Sequence, residues 1–144
     1  MKYILLAASG EQDCRDAEIY ALGKSRQTGA PLVILHVIEN ELSHYGEVDP
    51  LATEGDRRDF LAYVDALAVR EARERFADLL AEADEYGITA ELIIESGRLE
   101  ESLKARENRA QLVILGGRKP LFFQETARYR RLSRKLKCPI RHVP

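Results

Sequence analysis

The stretch that decides the fold runs from Leu112 to Arg131 and reads LVILGGRKPLFFQETARYRR. Its first four residues are apolar, they run straight into Gly116-Gly117, and the chain then turns basic. A short apolar run bounded by glycines predicts a strand buried on both faces, as in a parallel sheet. The glycine end of such a strand is also where α/β proteins place phosphate groups, because exposed backbone N–H groups converge there.

Outward from this stretch the chain repeats one pattern. Residues Tyr3–Ala8 form another apolar run, broken by Ser9-Gly10. Asp13 is a fitting N-cap for a helix that runs to about Thr28, with Ala17, Tyr20, Ala21 and Lys24 at helical spacing and Gly29 as its stop. The next strand reads PLVILHVIE, with Pro31 at its first position, where a missing N–H does least harm. An acidic stretch from Asn40 to about Gly55 follows, long for a connection in a compact domain. Leu61, Val64, Ala68, Ala72, Phe76, Leu79 and Ala83 then mark one face of a helix over about Arg57–Tyr86, with Gly87 as its C′ residue. TAELIIES predicts a third strand, Leu99–Asn108 a short helix, Glu125–Leu136 a basic helix, and PIRHV a short final strand.

Strands and helices therefore alternate, which predicts a parallel sheet covered on both faces in a three-layer α/β sandwich. Right-handed crossovers favour the strand order 3-2-1-4-5, which sets the carboxyl ends of strands 1 and 4 side by side at the switch point. The glycine breaks at Ser9-Gly10 and Gly116-Gly117 follow those two strands.

At 144 residues, 45% hydrophobic and 32% charged, the chain is one ordinary globular domain spanning residues 1–144. No apolar run approaches the ~20 residues needed to span a bilayer, so no membrane insertion is expected. The apolar start at Tyr3 is too short for a leader and is read as a strand. Cys14 and Cys138 are far apart and imply no disulfide framework, which fits the cytoplasm. Charge is uneven. Residues 116–144 hold nine of the 22 Lys/Arg but one of the 24 Asp/Glu, so this end carries +8 and the remainder −10.

Five segments in order, YILLAASG, GAPLVILHVIE, GITAELIIESGRLEESL, AQLVILGGRK and CPIRHVP, give the chain a resemblance to the universal stress protein family over essentially its whole length. The resemblance implies the five-stranded fold just described, a homodimer, and a regulatory rather than enzymatic role. It places the family's adenine and ribose site at Ala7, Ser9 and Val37, and its phosphate site at Gly116, Gly117, Arg118 and Lys119. ATP-binding members carry an acid in D-G-S after the first strand, where this chain has Ser9. They also carry G-x-x-G, a spacer and G-[ST] after the fourth. Gly116 matches the first of these glycines, the second falls on Lys119, and the final pair falls on Tyr129-Arg130. Glycines let a backbone approach phosphate closely, and Lys119 and Tyr129 do not reproduce that cradle. The expectation is a protein without an ATP cofactor, the alternative being a weak adenine-nucleotide or anion site that uses Arg118 and Lys119 side chains. Plain strand ends with solvated charges account for the same residues.

Other candidates are weaker. His36, His44 and His142 lack metal-ligand spacing. Cys14 sits in a helix's first turn, where a thiol pKa falls, but no base accompanies it. No spacing of Ser, His and Asp or of paired carboxylates predicts catalysis. The basic stripe Arg128, Arg131 and Lys135 fits either a solvated face or an adaptor surface for an acidic protein, and nucleic acid is the weaker partner. The final strand, PIRHV, lies at the sheet edge and predicts self-association through it.

Overall fold

The computed structural model describes residues 2–8, 15–38, 54–116 and 134–143, with the backbone alone for 54–65. The strands are β1 (Tyr3–Ala8), β2 (Leu32–Ile38), β3 (Ala90–Ser96), β4 (Ala110–Gly116) and β5 (Ile140–Val143). The helices are α1 (Arg15–Thr28), α2 (Glu54–Glu85) and α3 (Leu99–Arg106). All five strands pair in parallel in one sheet of order β3-β2-β1-β4-β5, as the crossover argument predicts.

The pleat sends alternate side chains to two cores. Ile4, Leu6, Leu32, Ile34 and Ile114 pack under Ala17, Ala21 and Leu22 of α1 and Phe76, Leu79 and Ala83 of α2. Leu5, Ala7, Val33, Leu35, Val37, Val113 and Leu115 pack on the other face with Leu103 of α3 and Leu136. Because β1, β2 and β4 are covered on both faces, their sequences carry runs of apolar residues rather than an alternation. β3 is an edge strand of half-buried and exposed residues. Its acids Glu91 and Glu95 share the face of Val33 and Val37 through the register.

The two long helices end on glycines for an identifiable reason. Gly29 has φ 73° and its N–H donates to the Ser25 carbonyl at 2.9 Å. Gly87 has φ 71°, its N–H donates to the Asp84 carbonyl, and the Ile88 N–H donates to the Ala83 carbonyl, which is a Schellman motif. A Cβ on Gly87 would meet no atom within 4 Å, so the cost of a side chain there is backbone strain alone. Gly87→Ala is expected to lower stability by about 1 kcal/mol, read as a lower urea midpoint with an unchanged slope.

Several boundaries differ from the sequence reading. Helix α2 begins at Glu54 rather than near Arg57, so the end of the acidic connection is already helical. Strand β2 starts at Leu32, one residue after the expected Pro31. Helix α3 stops at Arg106 rather than Asn108, because the Arg109 N–H turns back to the Arg106 carbonyl and leads into β4. At 1.5 Å per residue, α2 is about 48 Å long, roughly twice the ~23 Å of a seven-residue strand. Among the residues whose side chains are described, the buried ones of α2 are Ala72, Phe76, Leu79 and Ala83. Asp13, residues 39–53 and most of the basic helix lie outside the described residues; of that helix, Arg134 and Lys135 are helical.

Candidate functional site

The switch point is formed as expected. Ala8 pairs with His36 of β2 on one side and with Gly116 of β4 on the other, so three strands end together at the carboxyl edge. Of the seven expected site residues, the described structure brings together Ala7, Val37 and Gly116. Ala7 and Val37 are buried, with Leu35 and Leu115 on the same face, so this part of the site is an apolar wall. Gly116 pairs with Val143 of β5. Ser9, Gly117, Arg118 and Lys119 lie outside the described residues.

His36 is half-buried, as expected for a histidine at a strand's end, and its ring lies 5.8 Å from that of Phe76, tilted by 57°. Among the described residues no group of three His, Cys, Asp or Glu side chains could hold a metal ion. His44 and Cys14 lie outside them. Cys138 packs half-buried against the α3-side core, and burial pushes its thiol pKa up, away from reactivity.

The polar groups that do converge were not foreseen. The Glu95 carboxylate accepts hydrogen bonds from the Ser102 hydroxyl at 2.9 Å and from Arg106 Nη1 at 3.1 Å, and Arg106 Nη2 closes a bidentate pair. Arg106 Nη1 also donates to the Ser102 carbonyl at 3.1 Å. The Arg106 bonds above all, with the Ser102 bond, hold the Glu95 carboxyl below its ordinary range against a smaller opposing effect of burial. This cluster borders a groove of about 860 Å³ that is also lined by Tyr3, Val33 and Ile93. A second cleft, of about 460 Å³, lies between the C-terminal caps of α1 and α2, where the Arg26 guanidinium sits 4.7 Å from the Tyr86 ring centroid. Neither concavity is lined by the switch-point residues Ala7, Val37 and Gly116. A sequence signal for the cluster did exist. Period two puts Glu91, Ile93 and Glu95 on one face of β3, and Ser102 and Arg106 are one helical turn apart on the helix that crosses over that face.

A model of the universal stress protein family matches residues 1–140. The chain belongs to the universal stress protein family. Among solved structures, it is similar to a protein of this family from Burkholderia pseudomallei, at 23% identity and a TM-score of 0.67, over 99% of this chain and 96% of that one. It is similar to the universal stress protein from Archaeoglobus fulgidus in complex with dAMP, at 13% identity and a TM-score of 0.63, covering 100% and 98% of the two chains. A family protein from Arabidopsis thaliana with AMP bound matches at 16% identity and a TM-score of 0.60, covering 99% and 91%. These likenesses show the fold. No curated protein matches the chain. No described helix is long and apolar enough to cross a membrane.

Proposed function

We propose that this universal stress protein is a cytoplasmic regulatory or interaction protein that does not catalyse a reaction and does not hold ATP. The observation that carries this reading is chemical. The strand frame of the family site is present where Ala8 meets Gly116, yet the residues that would grip a nucleotide are changed. Ser9 stands where ATP-binding members have an acid, and Lys119 and Tyr129 stand where they have glycines. A serine hydroxyl does not replace a carboxylate that orders ribose or metal. Side chains on the loop remove the close backbone approach that phosphate needs.

A second reading keeps a nucleotide at the same place. Relatives of this fold hold dAMP and AMP, the apolar wall of Ala7 and Val37 suits a base, and Arg118 and Lys119 supply charge for phosphate. Thermal unfolding with Mg-ATP separates the two. A ligand at 100 times its Kd adds about 2.7 kcal/mol, several degrees in Tm for a domain of this size. The expected shift at millimolar ATP is near zero. A shift of several degrees would establish the second reading instead.

The proposed partner is a second copy of the chain, joined through the outer edge of β5. That strand has four residues and stands last in the order of the described sheet, and the edge of a sheet is where a strand of another chain adds most readily.

A further inference from the structure

Strand β3 stands first in the sheet order and pairs with β2, and among the described residues no strand pairs with its outer side. Its register with β2 is unbroken from Leu32↔Ala90 to Ile38↔Ser96. The ladder is prolonged at both ends, where the Leu32 N–H donates to the Thr89 carbonyl and the Gly97 N–H to the Ile38 carbonyl. The edge is therefore regular over seven residues, about 23 Å. Its sequence, AELIIES, holds no Lys or Pro and its register no bulge, the usual devices that blunt an edge. Apolar surface is also left on it. Leu92 and Ile93 are half-buried, whereas Ile34 and Leu35, their partners in register, are 0% exposed.

On the α3 side the strand borders the groove of about 860 Å³. The bidentate pair of Glu95 with Arg106 fixes α3 against β3 and neutralises both charges. Glu91, Glu101 and Arg109 also line the groove, and none has an ion pair among the described residues. The surroundings are acidic. Residues 76–97 contain Asp78, Glu82, Asp84, Glu85, Glu91 and Glu95 and no Lys or Arg. Glu82 is paired with Arg15 and Glu95 with Arg106, which leaves four acids without an ion pair among the described residues.

We propose that the outer side of β3 is a docking edge for an extended basic segment of another protein, which adds to the sheet as a further strand. In such complexes main-chain hydrogen bonds hold the added strand, and its alternate side chains select it. Period two sets Glu91, Ile93 and Glu95 on the α3 side of β3, and Ala90, Leu92 and Ile94 on the α2 side. The segment that fits carries Lys or Arg at every second position, facing Glu91 and the groove, with apolar residues between them over Leu92 and Ile94. A second copy joined through its own β3 would set two acidic strands against each other, which like charges across a strand pair oppose. The inference rests on the reading of this chain as an interaction protein and is independent of the switch point, whose Ala7, Val37 and Gly116 do not line the groove.

Isothermal titration calorimetry on the intact chain tests this with a capped peptide, as long as β3, that alternates lysine and valine. Saturable binding with a Kd below about 1 mM is expected, together with slower amide exchange across Ala90–Ser96. Two further peptides separate strand addition from charge alone. One replaces the central residue by proline, which removes a main-chain donor, and the other replaces every lysine by glutamate. Both are expected to bind at least about tenfold more weakly. In the protein, Glu91→Lys, at an exposed side chain, is expected to weaken the lysine peptide about tenfold. Glu71→Lys, an equal change of charge at an exposed site on α2, is expected to leave binding unchanged. No saturable binding, equal binding of the proline peptide, or slowed exchange outside β3 overturns the docking edge. Exchange at Ala90–Ser96 that slows with protein concentration alone makes a second copy the occupant and overturns it too. A Tm shift of several degrees with Mg-ATP would instead overturn the reading without ATP, and the peptide result would still decide this edge.

Discussion

Replacing Phe76 by alanine is expected to lower the unfolding free energy by about 3–5 kcal/mol. Phe76 is the largest of the fully buried side chains among the described residues, 2% exposed, and it anchors α2 in the core formed with Ile4, Leu6, Ile34 and Ile114. Its ring also meets the ring of His36. Truncation removes both the apolar burial and that contact, and strands in a close-packed sheet collapse little to refill the space. For a chain of this size the loss corresponds to a fall in Tm of roughly 10–15 °C. Since such domains are stable by only about 5–15 kcal/mol, the variant stands near the limit of folding. Phe76→Leu keeps most of the volume and is expected to lose clearly less. If differential scanning calorimetry finds Phe76→Ala within about 1 kcal/mol of the intact protein, α2 is not docked through this residue.

The second large effect is expected at Arg106. Arg106→Met keeps the apolar stem and deletes a bidentate pair with Glu95 and a bond to the Ser102 carbonyl. Hydrogen bonds to charged groups are worth about 1.5–3 kcal/mol. Because the Glu95 side chain is 34% exposed, water recovers part of this, so the expected loss is about 1–2 kcal/mol at neutral pH. The effect depends on pH in a defined direction. In the folded chain the Glu95 carboxyl is held below its ordinary value, chiefly by its hydrogen bonds with Arg106. The stability it contributes is therefore fully present above the unfolded value near 4.3. It is lost as pH falls through the folded value. Urea midpoints of the intact protein and Arg106→Met should be far apart at pH 7 and converge in acid. A constant gap across this range would assign the loss to packing rather than to the ion pair.

The strand order was legible because it needs only alternation and crossover handedness. The runs Ile4–Ala7, Leu32–Leu35 and Val113–Leu115 announce strands covered on both sides, and each is buried. The places of Ala7, Val37 and Gly116 near the carboxyl ends of β1, β2 and β4 were legible for the same reason, while their assignment to a site is what the family resemblance implies. The polar contacts of α3 were not. Glu95 with Arg106, and Glu107 with Lys137, join elements 11 and 30 residues apart. Whether they meet depends on the rotation of an eight-residue helix about its own axis, which so short an apolar pattern does not fix. The acidic stretch around Glu41 and Glu47 lies outside the described residues. The acid that does reach this end among the described residues is Glu107, from α3, its carboxyl held low above all by the Lys137 N–H and also by the Lys104 and Lys137 charges.

The length of α2 gives the molecule a lever. Among the residues whose side chains are described, those of α2 buried against the sheet run from Ala72 to Ala83, and Glu54 lies about 27 Å along the axis from Ala72 at 1.5 Å per residue. A tilt of about 10° at the grip therefore sweeps that end through about 5 Å, nearly a full helical pitch. The fulcrum includes the contact of Phe76 with His36, two residues before the carboxyl end of β2 and level with Ala8. A tilt coupled to the strand ends through His36 would therefore be largest at that end of the helix.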